Sequence, residues 1–231
     1  MYFIKTVGII GDLGPETTAE FYLDIISSCH KKDKITRPSI IIASIPLPLQ
    51  IEEDLILRNK GAERYLPFLI KEAQRLEKAG TEFIVMPCNS LHIFINEIRN
   101  AVSVPVLSII DETVQHLKQN NMNKVGIIST STTVKSKLYE NAFSKNNIGY
   151  VAPNESQQNK IDRIILDLLA GHQKDEDRNE LANIINNFDE KNLDCVILAC
   201  TDLQLLKPHH PALKIYDTMK IFSDATVRKI L

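Results

Sequence analysis

The sequence predicts an α/β protein of two pseudo-symmetric lobes, each a mainly parallel sheet flanked by helices. Three observations predict it. Short β-branched runs alternate with amphipathic helical stretches, the pattern of right-handed βαβ units. The runs are almost continuously apolar, as strands covered on both faces are. The order of elements also starts again midway along the 231 residues.

The elements follow in order. Thr6–Ile10 (TVGII) reads as a buried strand. Pro15–Lys31 reads as a helix with apolar residues at Phe21, Ile25 and Ile26. Ser39–Ile45 is a second strand, and Leu66–Ala79 a helix stopped by Gly80, whose missing Cβ suits a C-cap. Phe83–Met86 is a strand, Leu91–Ile98 a helix, Val104–Ile110 a strand and Glu112–Lys118 a helix.

The second half echoes the first. Lys5–Ile10 returns as Lys124–Ile128, Glu82–Ser90 as Asp194–Asp202, and Val106–Thr113 as Leu213–Thr218, at offsets of 118, 112 and 106. Three matches in one order are the mark of an internal repeat. The lobes are expected at residues 1–102 plus 212–231 and at 103–211, with no Pro/Gly/Ser linker between them.

Composition narrows the function classes. With 44% apolar and 24% charged residues the chain can bury a core without disulfide or metal staples. A net charge of -2, with no long basic block, argues against a nucleic-acid partner. No apolar run reaches the roughly 18 residues of a membrane span. The apolar N-terminal stretch breaks at Gly11-Asp12, too early for a signal-peptide core, so a cytoplasmic location is expected. Cys29, Cys88, Cys195 and Cys200 are then expected as reduced thiols. Cys195 and Cys200 are separated by an odd number of strand positions, so they face opposite sides. His209 and His210, between two prolines, read as an exposed loop, and no CxxC or HxxxH spacing supports a metal site. Gly8, Gly11 and Gly14 are spaced GxxGxxG, not the GxGxxG of a dinucleotide fold.

Cys88 and Cys200 carry the chemistry. Each follows a short apolar strand and enters a polar turn, Asn89-Ser90 in one copy and Thr201-Asp202 in the other. Ligands of open α/β sheets bind at the carboxyl ends of strands. A helix start there would present backbone N–H groups and a dipole that favour a thiolate. If the lobes pack face to face, the thiols flank a small ligand. One can then remove an α-proton while the other delivers a proton to the opposite face. His92, one turn after Cys88, could orient or deprotonate that thiol, or simply pack beneath it.

Gly11-Asp12-Leu13-Gly14-Pro15-Glu16-Thr17-Thr18, Pro87-Cys88-Asn89-Ser90-Leu91-His92 and Ala199-Cys200-Thr201-Asp202-Leu203 resemble the cofactor-independent aspartate/glutamate racemase family, whose patterns run roughly GGxGPxAT, PCNTAH and GCTEL. The resemblance covers nearly the whole chain, including Ile215–Thr218. It implies an isomerase of two flavodoxin-like lobes with the active site between them, Cys88 and Cys200 as acid/base pair, and no pyridoxal phosphate. It implies a small amino-acid substrate and a homodimer, with the strand near Val106 joining the second lobe and that near Ile215 the first. Asn89 and Thr201 then hold the substrate carboxylate and ammonium. Ser90 and Asp202 stand beside them, and Thr17, Thr18 and the Gly11-Asp12-Leu13-Gly14 turn wall the carboxylate.

Two departures bear on substrate. Gln50 stands where the family carries an arginine, and Leu169, before Ala170-Gly171, where it carries a lysine. An acidic substrate would lose about 1.5–3 kcal/mol of charge-assisted hydrogen bonding at each. Arg37, Arg58 or Lys60 could substitute, or Glu52, Glu53 or Asp54 could select a basic or neutral amino acid. Asp12 for glycine and Asp202 for glutamate are smaller departures. Three readings follow: a two-thiol racemase, a non-catalytic binder of small amino or carboxylic acids on the same fold, or a relative with a single nucleophilic cysteine.

Overall fold

The computed structural model describes residues 4–32, 37–48, 50–51, 54–55, 60–188 and 192–231. The chain divides into two compact units, residues up to Glu112 with Met219–Leu231, and Thr113–Thr218.

In the first unit, β1 (Val7–Gly11) lies between β2 (Ile40–Ser44) and β3 (Phe83–Val85), all parallel. Residues 105–107 add a single bridge at Ile84–Val106, held by Ile84 N–H to Pro105 O (2.9 Å) and Leu107 N–H to Ile84 O (3.0 Å). Helices α1 (Pro15–Lys32), α2 (Leu66–Lys78) and α3 (Ile95–Ala101) cover this sheet, and α9 (Thr218–Ile230) returns to it. Ile10, Ile84 and Met86 pack with Leu69, Ala73 and Leu76 of α2 and with Ile98 of α3. On α1 and α9, Phe21 stacks on Phe222 at 5.7 Å, and Lys229 of α9 lies over the Phe83 ring.

In the second unit the order is β5 (Gly149–Val151), β4 (Lys124–Ser129), β6 (Cys195–Ala199), β7 (Lys214–Asp217), again all parallel. The helices are α4 (Ile109–Gln119, beginning in the first unit), α5 (Ser131–Lys135), α6 (Leu138–Lys145), α7 (Glu155–Leu169) and α8 (Asp175–Asn186). The core packs Ile128, Val196 and Leu198 against Ile161, Ile165 and Leu168 of α7 and Leu181 and Ile185 of α8. A reciprocal capping box starts α7: Asn154 accepts from Gln157 N–H and Gln157 accepts from Asn154 N–H, both at 2.9 Å.

The repeat is visible residue by residue. Gly8 pairs with Ile84 and Gly126 with Val196. A Cβ on Gly8 would lie 3.0 Å from Thr81, and one on Gly126 would lie 3.0 Å from Leu193 and Phe188. Both central strands thus need glycine for the chain entering the next strand to approach. The entering carboxylates match as well: Glu82 accepts from Thr6 N–H (2.7 Å), and Asp194 from Lys124 N–H (2.9 Å).

Several expectations are corrected. Val106 sits beside Ile84 as Ile215 sits beside Val196, so the third echo is offset by three residues from its sequence alignment. The strand expected over Val104–Ile110 is one bridge, because Ser108 Oγ accepts from Asp111 N–H (3.1 Å) and starts α4 at Ile109. Among the described residues the expected exchange of end strands is not seen. Residues 105–107 bond to β3 of their own copy and β7 bonds to β6 of its own. The helix expected from Leu91 opens as a 3-10 turn, Ser90–Phe94, before α3.

Candidate functional site

In parallel sheets every strand delivers its following loop to one edge. In the first unit that edge receives Gly11 at the end of β1 with Asp12 and Gly14 after it, and the loop after the adjacent β3, with Cys88, Asn89 and Ser90. In the second it receives Cys200, Thr201 and Asp202 after β6. Cys88 and Cys200 therefore hold equivalent positions in the two copies.

The β1 loop is tightly built. A Cβ on Gly11 would stand 2.8 Å from Thr18 Cγ2, so a larger residue would force the Thr18 side chain to shift. Asp12 has φ 63°, a left-handed conformation that Asp tolerates better than most residues, which accounts for the family's glycine there. Thr18 Oγ1 accepts from Asp12 N–H and donates to Gly14 O, both at 3.0 Å. Its hydroxyl thus shapes the turn from behind. Thr17 is buried beside it at the start of α1.

Cys88 is half-buried and its N–H donates to Met86 O at 2.8 Å. Asn89 is buried and Ser90 half-buried. Cys200, Thr201 and Asp202 are all buried, and the Cys200 thiol donates to Asp202 Oδ2 at 3.6 Å. Both cysteines precede short 3-10 turns, Ser90–Phe94 and Leu203–Leu206, in place of the α-helical starts expected. The dipole available to each thiol is correspondingly short.

His92 is 1% exposed, and both ring nitrogens are occupied. Ile109 N–H donates to Nε2 (3.0 Å), so the proton sits on Nδ1, which donates to Cys88 O (2.6 Å). Burial drives its pKa down to about 4, against the raising effect of the Cys88 hydrogen bond. His92 is thus a neutral strut between the Cys88 turn and the start of α4. It has no ring nitrogen left to deprotonate the thiol.

The two positions at which the resemblance leads one to expect a cation hold Gln50 and Leu169. Gln50 is exposed, and Leu169 is partly buried against the second core. Arg37 precedes β2, at the sheet edge opposite the cysteine loops. Lys60 is exposed, while Arg58, Glu52 and Glu53 lie outside the described residues. Asp54 is bound to Arg64 at 2.7 Å.

Other singled-out residues settle into structural places. Cys29 is buried in α1. Cys195 is buried, and burial, then Asp194, push its thiol up to about 12. His209 is exposed, but His210 is buried, contrary to expectation: its Nδ1 accepts from Ala212 and Leu213 N–H (3.1 and 2.8 Å) to form the turn before β7. Among the described residues no three His, Cys, Asp or Glu side chains lie where they could hold a metal ion, and no helix is long and apolar enough to cross a membrane.

Sequence reading missed the loop after β4. Thr130 caps α5 by accepting from Thr133 N–H at 3.1 Å. Asp162 of α7 accepts from both Ser131 N–H (3.0 Å) and Ser131 Oγ. The hydroxyl run Ser129–Thr133, directly after the Lys124–Ile128 echo, was the available signal; nothing local marks Asp162.

Fold and site together define a duplicated α/β protein that presents one cysteine from the same place in each copy. Residues 10–226 match the Asp/Glu/Hydantoin racemase family, and the chain belongs to that family. It is 26% identical to the broad specificity amino-acid racemase RacX of Bacillus subtilis, over 97% of this chain and 98% of that protein. An aspartate racemase homologue from Pyrococcus horikoshii is 27% identical, with TM-score 0.81 over 98% of this chain and 99% of that one. Picrophilus torridus aspartate racemase, at 23% identity, shares the fold with TM-score 0.81 over 98% and 94% of the two chains.

Proposed function

We propose that the protein racemises an amino acid without a cofactor, using Cys88 and Cys200 as a two-thiol acid–base pair. The carrying observation is their equivalence: each cysteine lies four residues beyond the register partner of its copy's central-strand glycine, Ile84 opposite Gly8 and Val196 opposite Gly126. One thiolate takes the α-proton, and the C–H electron pair delocalises into the substrate carboxylate. The other thiol gives its proton to the opposite face. The substrate leaves inverted, and the two sulfurs have exchanged protonation states.

Support for a racemase comes from family membership and from the likeness to RacX across both chains. Gln50 and Leu169 at the anchor positions favour a substrate other than aspartate or glutamate, in keeping with a relative of broad specificity. The Asn89 amide, the Thr201 hydroxyl and backbone N–H groups of the strand-end turns are suited to hold the α-carboxylate as charge moves onto it.

The test incubates the protein with common L- and D-amino acids in deuterated water and reads α-deuterium by mass. Exchange with at least one amino acid is expected, and loss of racemisation in Cys88→Ser and in Cys200→Ser. Racemisation retained in both variants refutes the two-thiol scheme. Ligand-induced melting shifts with no exchange for any amino acid support a non-catalytic binder.

A further inference from the structure

Cys88 is fixed through its backbone. Its N–H donates to Met86 O at 2.8 Å, closing a three-residue turn around Pro87, whose ring sets φ at the centre. Its C=O accepts from His92 Nδ1 at 2.6 Å. The next carbonyl, Asn89 O, accepts from the backbone N–H of His92 at 3.1 Å. Peptide units are planar, so these bonds fix both planes that flank the Cys88 Cα. The direction of the Cα–Cβ bond follows from the two planes, and the sulfur keeps only rotation about χ1.

The far end of the His92 ring is anchored to the same strand that leads to Cys88. Ile109 N–H, one of the first-turn donors that a helix cannot satisfy internally, donates to His92 Nε2 at 3.0 Å. Two residues earlier, Leu107 N–H donates to Ile84 O of β3 at 3.0 Å. Ile84, Cys88, His92, Ile109 and Leu107 thus lie on one closed circuit of chain and hydrogen bonds. The imidazole is buried and stands edge-on to Phe222, with ring centroids 6.4 Å apart. In the second copy the position 112 residues on is Gln204, and Cys200 O accepts from Leu203 N–H of its own turn (3.3 Å). There the side-chain contact is at the sulfur itself, with Asp202.

We propose that His92 is a positioning residue for proton transfer: by holding the Cys88 carbonyl it sets where the Cys88 sulfur stands against the α-carbon, and so governs turnover and not substrate binding. This rests on the two-thiol reading and deepens it. A neutral ring that donates through Nδ1 and accepts through Nε2 is the form that makes both bonds, so the histidine serves the thiol without exchanging a proton with it. A reacting atom displaced by about 1 Å loses roughly a hundredfold in rate, so a bond lost at the Cys88 carbonyl is read in kcat.

The experiment compares wild type, His92→Asn and His92→Gln, all below the onset of melting. The asparagine amide reaches the place of Nδ1 and keeps the bond to Cys88 O. The longer glutamine reaches the place of Nε2 and keeps the bond from Ile109 N–H. Each variant loses one hydrogen bond, so a purely structural role moves both alike. The common L-amino acids are incubated in deuterated water, and kcat and KM are taken on the one that wild type exchanges fastest. The kcat of His92→Gln is expected to fall about ten- to a hundredfold, that of His92→Asn less than about threefold, with KM little changed in either. Equal kcat in the two variants, or a loss carried by KM, overturns the assignment. If His92→Gln does not fold, His92→Asn decides alone, and a tenfold loss of its kcat overturns the assignment. If wild type exchanges no common amino acid, the racemase reading fails, and positioning is read from the rate at which iodoacetamide alkylates Cys88 at neutral pH. His92→Gln must then depart from wild type by more than His92→Asn does, with Cys200 labelled alike in all three; equal Cys88 rates overturn the assignment.

Discussion

The thiol of Cys200 donates to Oδ2 of Asp202 at 3.6 Å. A buried carboxylate at that distance favours the S–H form and opposes a thiolate, because two like charges would share one site. On the two-thiol scheme proposed above, this assigns the acid role to Cys200 and the base role to Cys88, which is half-buried and has no carboxylate following it at the same spacing. Asp202→Asn should speed alkylation of Cys200 by iodoacetamide several-fold at neutral pH, mapped by peptide mass. Cys29 and Cys195 provide internal controls. Both are buried, and Cys195 is held up to about 12, so neither should be labelled before unfolding. Unchanged or slower labelling of Cys200 in the variant contradicts the pairing.

His92 predicts a pH dependence of stability. Its folded pKa, about 4, lies below the ordinary 6.5 because burial disfavours the imidazolium. The neutral ring is thus preferred by the folded state. Its contribution is complete above pH 6.5, shrinks as pH falls toward 4, and amounts to roughly 3 kcal/mol across that window. His92→Asn can keep the bond to Cys88 O but loses the Nε2 acceptor of Ile109 N–H, a loss of about 1–3 kcal/mol. Thermal melts from pH 7.5 to pH 4 should show a lower melting temperature for the variant at neutral pH. They should also show a shallower decline on acidification. Parallel curves would show that His92 does not titrate with unfolding.

The alternation of apolar runs and helical stretches located most strands to within a residue or two, because buried parallel strands are continuously apolar. Cys88 and Cys200 were legible for a related reason: the strand before each is an echo, and the echo places the residue that follows. What sequence could not supply was pairing. Whether residues 105–107 and 214–217 bond at home or across depends on the neighbouring sheet edge, which no local pattern encodes. Ile109 and Ile110 look like strand residues until Ser108 caps the helix that claims them. His92 carries the spacing of a catalytic helper. Only its contacts with Cys88 and Ile109 show that both nitrogens are taken.

Gly11 tests how tightly the β1 loop is packed. An added Cβ would lie 2.8 Å from Thr18 Cγ2 and 3.1 Å from Ile42 Cγ2. Gly11→Ala should therefore cost about 1–3 kcal/mol by overpacking. Thr18→Ser removes the nearer methyl and keeps the hydroxyl that holds Asp12 and Gly14. The double variant should recover part of the loss, leaving the part due to Ile42. Chemical denaturation of the single and double variants measures the coupling, and strictly additive effects would mean the two residues do not meet.

Restoring a cation should shift the substrate range. Gln50 is exposed, so Gln50→Arg adds a guanidinium without burying charge. Leu169 packs against the second core, so Leu169→Lys puts an ammonium where an apolar side chain was. The first variant should fold as the parent does, and the second should melt at a lower temperature. An arginine that reaches a substrate carboxylate is worth about 1.5–3 kcal/mol, or roughly ten- to a hundredfold in kcat/KM. Gln50→Arg should accordingly raise aspartate exchange by that factor and change alanine exchange far less, because alanine carries no second carboxylate to grip. A gain of equal size on both amino acids would show the arginine acting on the shared α-carboxylate. No gain on either would place residue 50 out of the substrate's reach.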